Sequence, residues 1–245
     1  MRALLTAFGF LTAVPVPSPE IRPGDLGRAT AWFPLVGVFV GLLLAGVDWC
    51  GRAVWGPYVA SALVLGATLL LTGGLHIDGF MDSADGFFSR RDREGVLAVM
   101  KDSRSGALGV AAGVSLLLLK FAAYGQLVGV HHWQAIALAP VLGRLAMTLA
   151  VASFPYARQA GTGLTFAQET RGRHAIAATV MTLAFSFGFL QYLGLAFAAG
   201  AAMLTLLCSG YWMRRLGGLT GDIYGSINEI VEVAALLAGA AIIAR

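Results

Sequence analysis

The chain has 245 residues, of which 58% are apolar and 12% charged, with a mean hydropathy of +0.76 and a net charge of +4. Ordinary soluble chains carry about 25% charged residues, so a soluble globule is excluded along with disordered, collagen-like and disulfide-scaffold classes, and lipid is the expected solvent for most of the surface. The positive charge is no nucleic-acid signal, because the arginines are scattered between apolar runs without a basic stripe or an interleaved aromatic platform.

In chain order, Arg2 to Val14 is a 13-residue apolar stretch ending at Pro15-Val16-Pro17. It is too short to span and no small-residue cleavage pattern follows, so it reads as an interfacial or half-inserted helix. A bilayer core about 30 Å thick needs around 20 residues per helix. Runs of that kind lie at about 32–50, 57–75, 107–126, 133–152, 175–192, 193–211 and 229–244. The fifth and sixth share one apolar tract that must turn near Gln191 to Gly194. The expected fold is an all-α polytopic membrane bundle over 1–245, with about seven transmembrane helices plus the short N-terminal helix. Small-residue spacings such as Gly37 to Gly41, Gly109 to Gly113 and Gly125 to Gly129 read as close helix packing. Cys50 and Cys208 lie in apolar segments and read as small packing residues.

Four more polar segments, about 15–31, 76–106, 153–174 and 212–228, alternate with the short connections and fall on one side of the membrane. That side carries thirteen Lys and Arg residues, among them Arg158, Arg214 and Arg215, against Arg52 and Arg245 on the other. Lys and Arg mark cytoplasmic loops, so the polar face is expected in the cytosol. His131 and His132 then lie at the far interface.

Six of the thirteen carboxylates lie between Asp78 and Asp102. If the second span continues as a helix past His76, then Asp78, Asp82 and Asp85 stand at i, i+4 and i+7, within about 60° on one face. Three like charges there repel one another, and Mg²⁺, held by one or two carboxylates plus substrate phosphates, is the cation expected to neutralise them. His76 would point about 160° from Asp78 on that helix, leaving a substrate contact or an interfacial structural role. Zinc is not expected, since no His or Cys partner lies at ligand spacing.

Further on, Lys101, Asp102, Ser103 and Arg104 precede the third span, where cationic and hydroxyl donors beside a helix start suit phosphate oxygens. No Gly-Lys dipeptide occurs, which excludes a P-loop. Arg144 is mid-span and reads as a counter-ion or phosphate ligand, whereas Lys120 reads as snorkelling to the far interface. Asp222 and Glu229 are seven residues apart, and Glu229 and Glu232 enter the last span, where ionisable groups face a cavity or a partner.

These residues resemble the cobalamin synthase (adenosylcobinamide-GDP ribazoletransferase) family. The resemblance rests on Gly73 to Gly86 (GGLHIDGFMDSADG), Met100 to Gly106 (MKDSRSG), Phe33-Pro34-Leu35-Val36-Gly37, Gly143-Arg144, Gly217 to Glu232 (GGLTGDIYGSINEIVE) and the Phe10 to Pro17 start. Ser105 departs from the larger apolar residue common there. The resemblance implies a multi-pass enzyme of the bacterial inner membrane with its active face in the cytosol. It implies that a ribose hydroxyl of α-ribazole, or of its 5′-phosphate, displaces GMP from adenosylcobinamide-GDP, with Mg²⁺ required. On that basis Asp78, Asp82 and Asp85 hold the metal, an acid such as Asp85 or Asp102 receives the proton, and Lys101 and Arg104 contact phosphates. Asp222 and Glu229 complete the metal site or bind the cobinamide periphery. The expected partners are these small molecules and the bilayer, with no nucleic acid; a homo-oligomer is compatible. One rival is a CDP-alcohol phosphotransferase, but the Ala-Arg after Asp-Gly and the later paired aspartates of that family are missing. A secondary transporter would place its acids near mid-bilayer in repeated halves, and no internal repeat is evident.

Overall fold

The computed structural model describes residues 1–17, 20–129 and 131–243. Among these the regular structure is helical apart from an isolated bridge between Tyr156 and Leu219. Five helices are long and apolar enough to cross a membrane: α3 (Phe33–Trp55), α7 (Ala107–Gln126), α8 (His132–Ser153), α10 (Gly172–Leu216) and α11 (Gly221–Ile243). α4 (Pro57–Thr72) and α5 (Leu75–Phe88), bent by 92° at Gly73-Gly74, make a sixth candidate only when taken together as one broken span. The remaining helices are short: α1 (Arg2–Leu11), α2 (Asp25–Thr30), α6 (Arg93–Val99) and α9 (Thr162–Glu169). Among the described helices α10 is the longest, with 45 residues, about 68 Å of helix and far more than one bilayer needs. Its helical geometry breaks at Leu190 and Gln191, and Gly194 comes back against the Ser186 carbonyl, so two arms fold together. The turn therefore lies where the apolar tract requires it.

α8 is the axis of the bundle. Nearly every residue from Ala135 to Val151 is buried, and α3, α10 and α11 pack around it. Gly37 and Gly41 let α3 meet the α8 backbone, because a Cβ at either would stand under 3 Å from Pro140 or Ala137. Gly109 and Gly113 serve α7 in the same way, against Asp85 and Met81 of α5. Gly125 makes only ordinary contacts, so of the expected small-residue seams two are close approaches. At the far end Asp48 is buried between Arg52 (2.7 Å) and His132 (3.5 Å), which gives the interfacial histidine a partner.

The second predicted span does not run on as one helix past His76. Gly73 and Gly74 both have positive φ, 60° and 73°, a conformation open to glycine at little cost and expensive for other residues. The two together end α4 and send α5 across the end of the bundle, over the first turns of α7 and α11. α1 braces this corner: the Ala13 N–H donates to the Leu71 carbonyl at 2.8 Å, and α1 packs on α2 and α3. It is a ten-residue helix at the bundle end and does not cross, as its length requires.

Candidate active site

Three of the four polar segments meet at a cavity of about 830 Å³, with α1 contributing Phe10. α5 supplies His76 and Asp78, the chain after α6 supplies Lys101, and the loop after α8 supplies Tyr156 and Arg158. The start of α11 adds Asp222 and Tyr224. The loop and the α10–α11 connection are stitched together: Ala157 N–H donates to Leu219 O (2.7 Å) and Leu219 N–H to Pro155 O (2.8 Å). Arg93 of α6 fastens both, donating to the carbonyls of Leu216 (2.7 Å) and Ala157 (3.0 Å).

α5 and α11 approach at Gly79, where a Cβ would stand 2.7 Å from the Asp222 carbonyl oxygen. This brings Asp78 and Asp82, one helical turn apart, beside Asp222. Asp82 is pushed up to about 7, chiefly by burial and then by the charges of Asp78, Asp222 and Asp85. Arg158 partly offsets the repulsion, with a nitrogen 2.8 Å from Asp222 Oδ2. Around this acidic corner several buried polar atoms of cavity residues lack a hydrogen-bond partner among the described residues: His76 Nε2, Tyr224 Oη and Arg158 Nε. Burial makes such atoms costly unless something pairs with them.

The predicted residues divide three ways. Asp78, Asp82, Asp222, His76 and Lys101 are brought together at or beside the cavity. Asp85 points elsewhere: its two oxygens accept from the backbone N–H groups of Gly106 and Gly109, both at 2.7 Å. It caps α7, so the positive end of that helix, expected to face phosphate, is already taken by a carboxylate. Consistent with that, no three His, Cys, Asp or Glu side chains among the described residues close around one metal position. Asp102 and Arg104 are exposed and pair with each other (2.8 Å), beside exposed Ser103; the guanidinium holds the Asp102 carboxyl down at about 2.

Glu229 and Arg144 lie in the bundle interior and not at the cavity. Lys120 Nζ contacts Glu229 (2.7 Å) and Glu232 (2.8 Å), Arg144 pairs with Glu232, and Asn228 donates to Glu232 at 3.0 Å. Arg144 is thus a counter-ion, and Lys120 is buried and paired instead of snorkelling. The sequence reading overlooked Arg158 and Tyr156 as site residues. Their only signal was position, in a polar segment on the face that carries the acids.

The chain matches the family model described as cobalamin-5-phosphate synthase over residues 3–240. It is 40% identical over 231 residues to a Roseiflexus protein named adenosylcobinamide-GDP ribazoletransferase, covering 94% of this chain and 86% of that one. Proteins of the same name from Pseudomonas savastanoi pv. phaseolicola (41% over 244 residues, 94% and 96% covered) and Brevibacillus brevis (37% over 244 residues, 97% of each) are also similar. No solved structure matches the chain. Identity of this degree along nearly the whole length, with the acidic motif seated at the cavity, makes the chain a member of the cobalamin-5-phosphate synthase family.

Proposed function

We propose that the protein joins adenosylcobinamide-GDP to α-ribazole or its 5′-phosphate at this cavity, from the cytosolic side of a bacterial inner membrane. A ribose hydroxyl oxygen forms a bond to the phosphorus attached to the cobinamide. The bond from that phosphorus to the bridging oxygen breaks, GMP leaves with that oxygen, and the hydroxyl proton goes to a carboxylate. The products are adenosylcobalamin, or its 5′-phosphate, and GMP.

The observation that carries the reading is the gathering of Asp78, Asp222, Arg158 and Lys101 at one cavity, with Asp82 beside them and Arg158 paired to Asp222. Transfer at phosphorus asks a protein mainly to position groups and to stabilise charge. Lys101 and Arg158 offer cationic donors for the diphosphate. The carboxylates repel one another and do not enclose a point, which fits a hard divalent ion held by one or two carboxylates together with phosphate oxygens. One or two of Asp78, Asp82 and Asp222 would hold it together with phosphate oxygens, and Mg²⁺ would neutralise the diphosphate when bound. Asp82, near 7, matches the requirement for a proton acceptor at neutral pH better than Asp102 near 2. The cavity volume suits a nucleoside-sized group with its phosphates, so the corrin ring stays at the cytosolic mouth.

The test uses purified protein in nanodiscs with adenosylcobinamide-GDP and α-ribazole, in Mg²⁺ or in EDTA, followed by chromatography of GMP and cobamide. Formation of both products in Mg²⁺ alone is expected. Absence of both with either acceptor, while a relative of the same family works in parallel, overturns the reading.

A further inference from the structure

The cavity lining combines two chemistries. α5, the segment after α6, the loop after α8 and the start of α11 bring the charged side chains Asp78, Lys101, Arg158 and Asp222. A second set of lining residues, from α1, α3, α8 and α9, is apolar: Phe10, Phe33, Met147, Val151 and Phe166. The three rings form one cluster, with centroids 4.6 Å apart for Phe10 and Phe166, 5.9 Å for Phe33 and Phe166, and 6.2 Å for Phe10 and Phe33. None of the five side chains has a nitrogen or oxygen.

We infer that this aromatic wall is the seat of the acceptor's base, an apolar bicyclic ring of the benzimidazole type, and that it sets the preference for such bases. The inference rests on the proposed transfer, because that reaction brings two heterocycles to one site. The two differ in what burial costs them. Guanine carries hydrogen-bonding groups around its whole edge, and each left unpaired against phenylalanine and methionine is penalised. A glycosylated benzimidazole has no ring N–H and one acceptor nitrogen, so it stacks on the wall and loses little. Seating the base there keeps its ribose in the same cavity that Asp78 and Asp222 line. The guanine edge is left to the polar, exposed stretch from Gln159 to Thr162.

Equilibrium binding to protein in nanodiscs, read from the fluorescence of the benzimidazole, tests this independently of turnover. Stacking on aromatic side chains predicts that Phe10→Ala weakens α-ribazole binding about tenfold. Val151→Trp, which fills the wall and keeps it apolar, is expected to weaken it likewise, and GDP is expected to leave α-ribazole bound. In turnover, both variants raise the KM for α-ribazole and not that for adenosylcobinamide-GDP. Displacement of α-ribazole by GDP or guanosine, or unchanged binding in both well-folded variants, overturns the assignment. Failure of the wild-type protein to release GMP while α-ribazole still binds at the wall refutes the transfer reading and leaves the base site standing.

Discussion

Burial and three neighbouring carboxylates hold the proton on Asp82 up to about 7, against 3.8 for a free side chain. As pH rises the unfolded chain therefore ionises first at this position, and ionisation favours unfolding. The stability that protonated Asp82 contributes is complete below about 3.8 and is lost as pH climbs through about 7. In EDTA the thermal midpoint should fall across that interval, and Asp82→Asn should flatten the fall. A slope unchanged in the variant would assign the effect to another group. Protons and Mg²⁺ compete for the same carboxylates, so apparent Mg²⁺ affinity should rise over the same range and level off above it. Loss of a proton acceptor costs about 10²–10⁴ in rate, so Asp82→Asn should drop kcat by that order while Asp102→Asn, at an exposed ion pair, changes it little. The reverse order would move the base to Asp102. The aspartate spacing made Asp78 and Asp82 legible in the sequence as one face. Arg158 was not, because an arginine in a cytosolic segment is already explained as a topology anchor.

A helix-level contrast separates Asp85 from its neighbours. Two backbone amides of the α7 start already occupy its oxygens, and loss of such a cap costs about 0.5–2 kcal/mol. Asp85→Asn keeps one acceptor oxygen, so it should lower the unfolding midpoint yet retain most of kcat at saturating Mg²⁺. A loss of activity equal to that of Asp82→Asn, without loss of stability, would return Asp85 to the metal. The i, i+4, i+7 pattern placed it with the other two, and pattern alone does not reveal that another helix begins beside it. Gly79 is the matching test from the opposite side. A methyl there meets the Asp222 backbone at 2.7 Å, so Gly79→Ala should push α5 off α11 and raise the Mg²⁺ concentration needed for half-maximal activity. An unchanged requirement would mean that Asp222 does not share the cation. Apolar run length was enough to find the long apolar helices and the break in α10, because hydropathy reports them directly. The bend after α4 was missed although Gly73-Gly74 was in plain view, since adjacent glycines mark freedom and the left-handed angles that use it come from packing.

Across the whole bundle, the interior charges decide how three helices face one another. Lys120 on α7, Arg144 on α8, and Glu229 and Glu232 on α11 are two cations and two anions, all nearly fully buried. Charges at membrane depth are tolerated when they face inward and meet partners, and this set balances only when all four meet. That ties the rotation of α11 to α7 and α8, and with it the position of Asp222 at the end of α11. The sequence marked Arg144 as mid-span and placed Glu229 and Glu232 in the last span, but it read Lys120 as snorkelling, because which cation meets which anion depends on helix rotation, which no single span encodes. Removing one member strands the opposite charge, and for buried pairs this costs about 3–5 kcal/mol. Lys120→Met should therefore lower the midpoint of unfolding in a mixed-micelle SDS titration by an amount of that order. Adding Glu229→Gln restores neutrality and should recover most of the loss. If the two substitutions instead add their separate penalties, the network is not a balanced unit, and the packing of α11 must be credited to its apolar contacts with α8 alone.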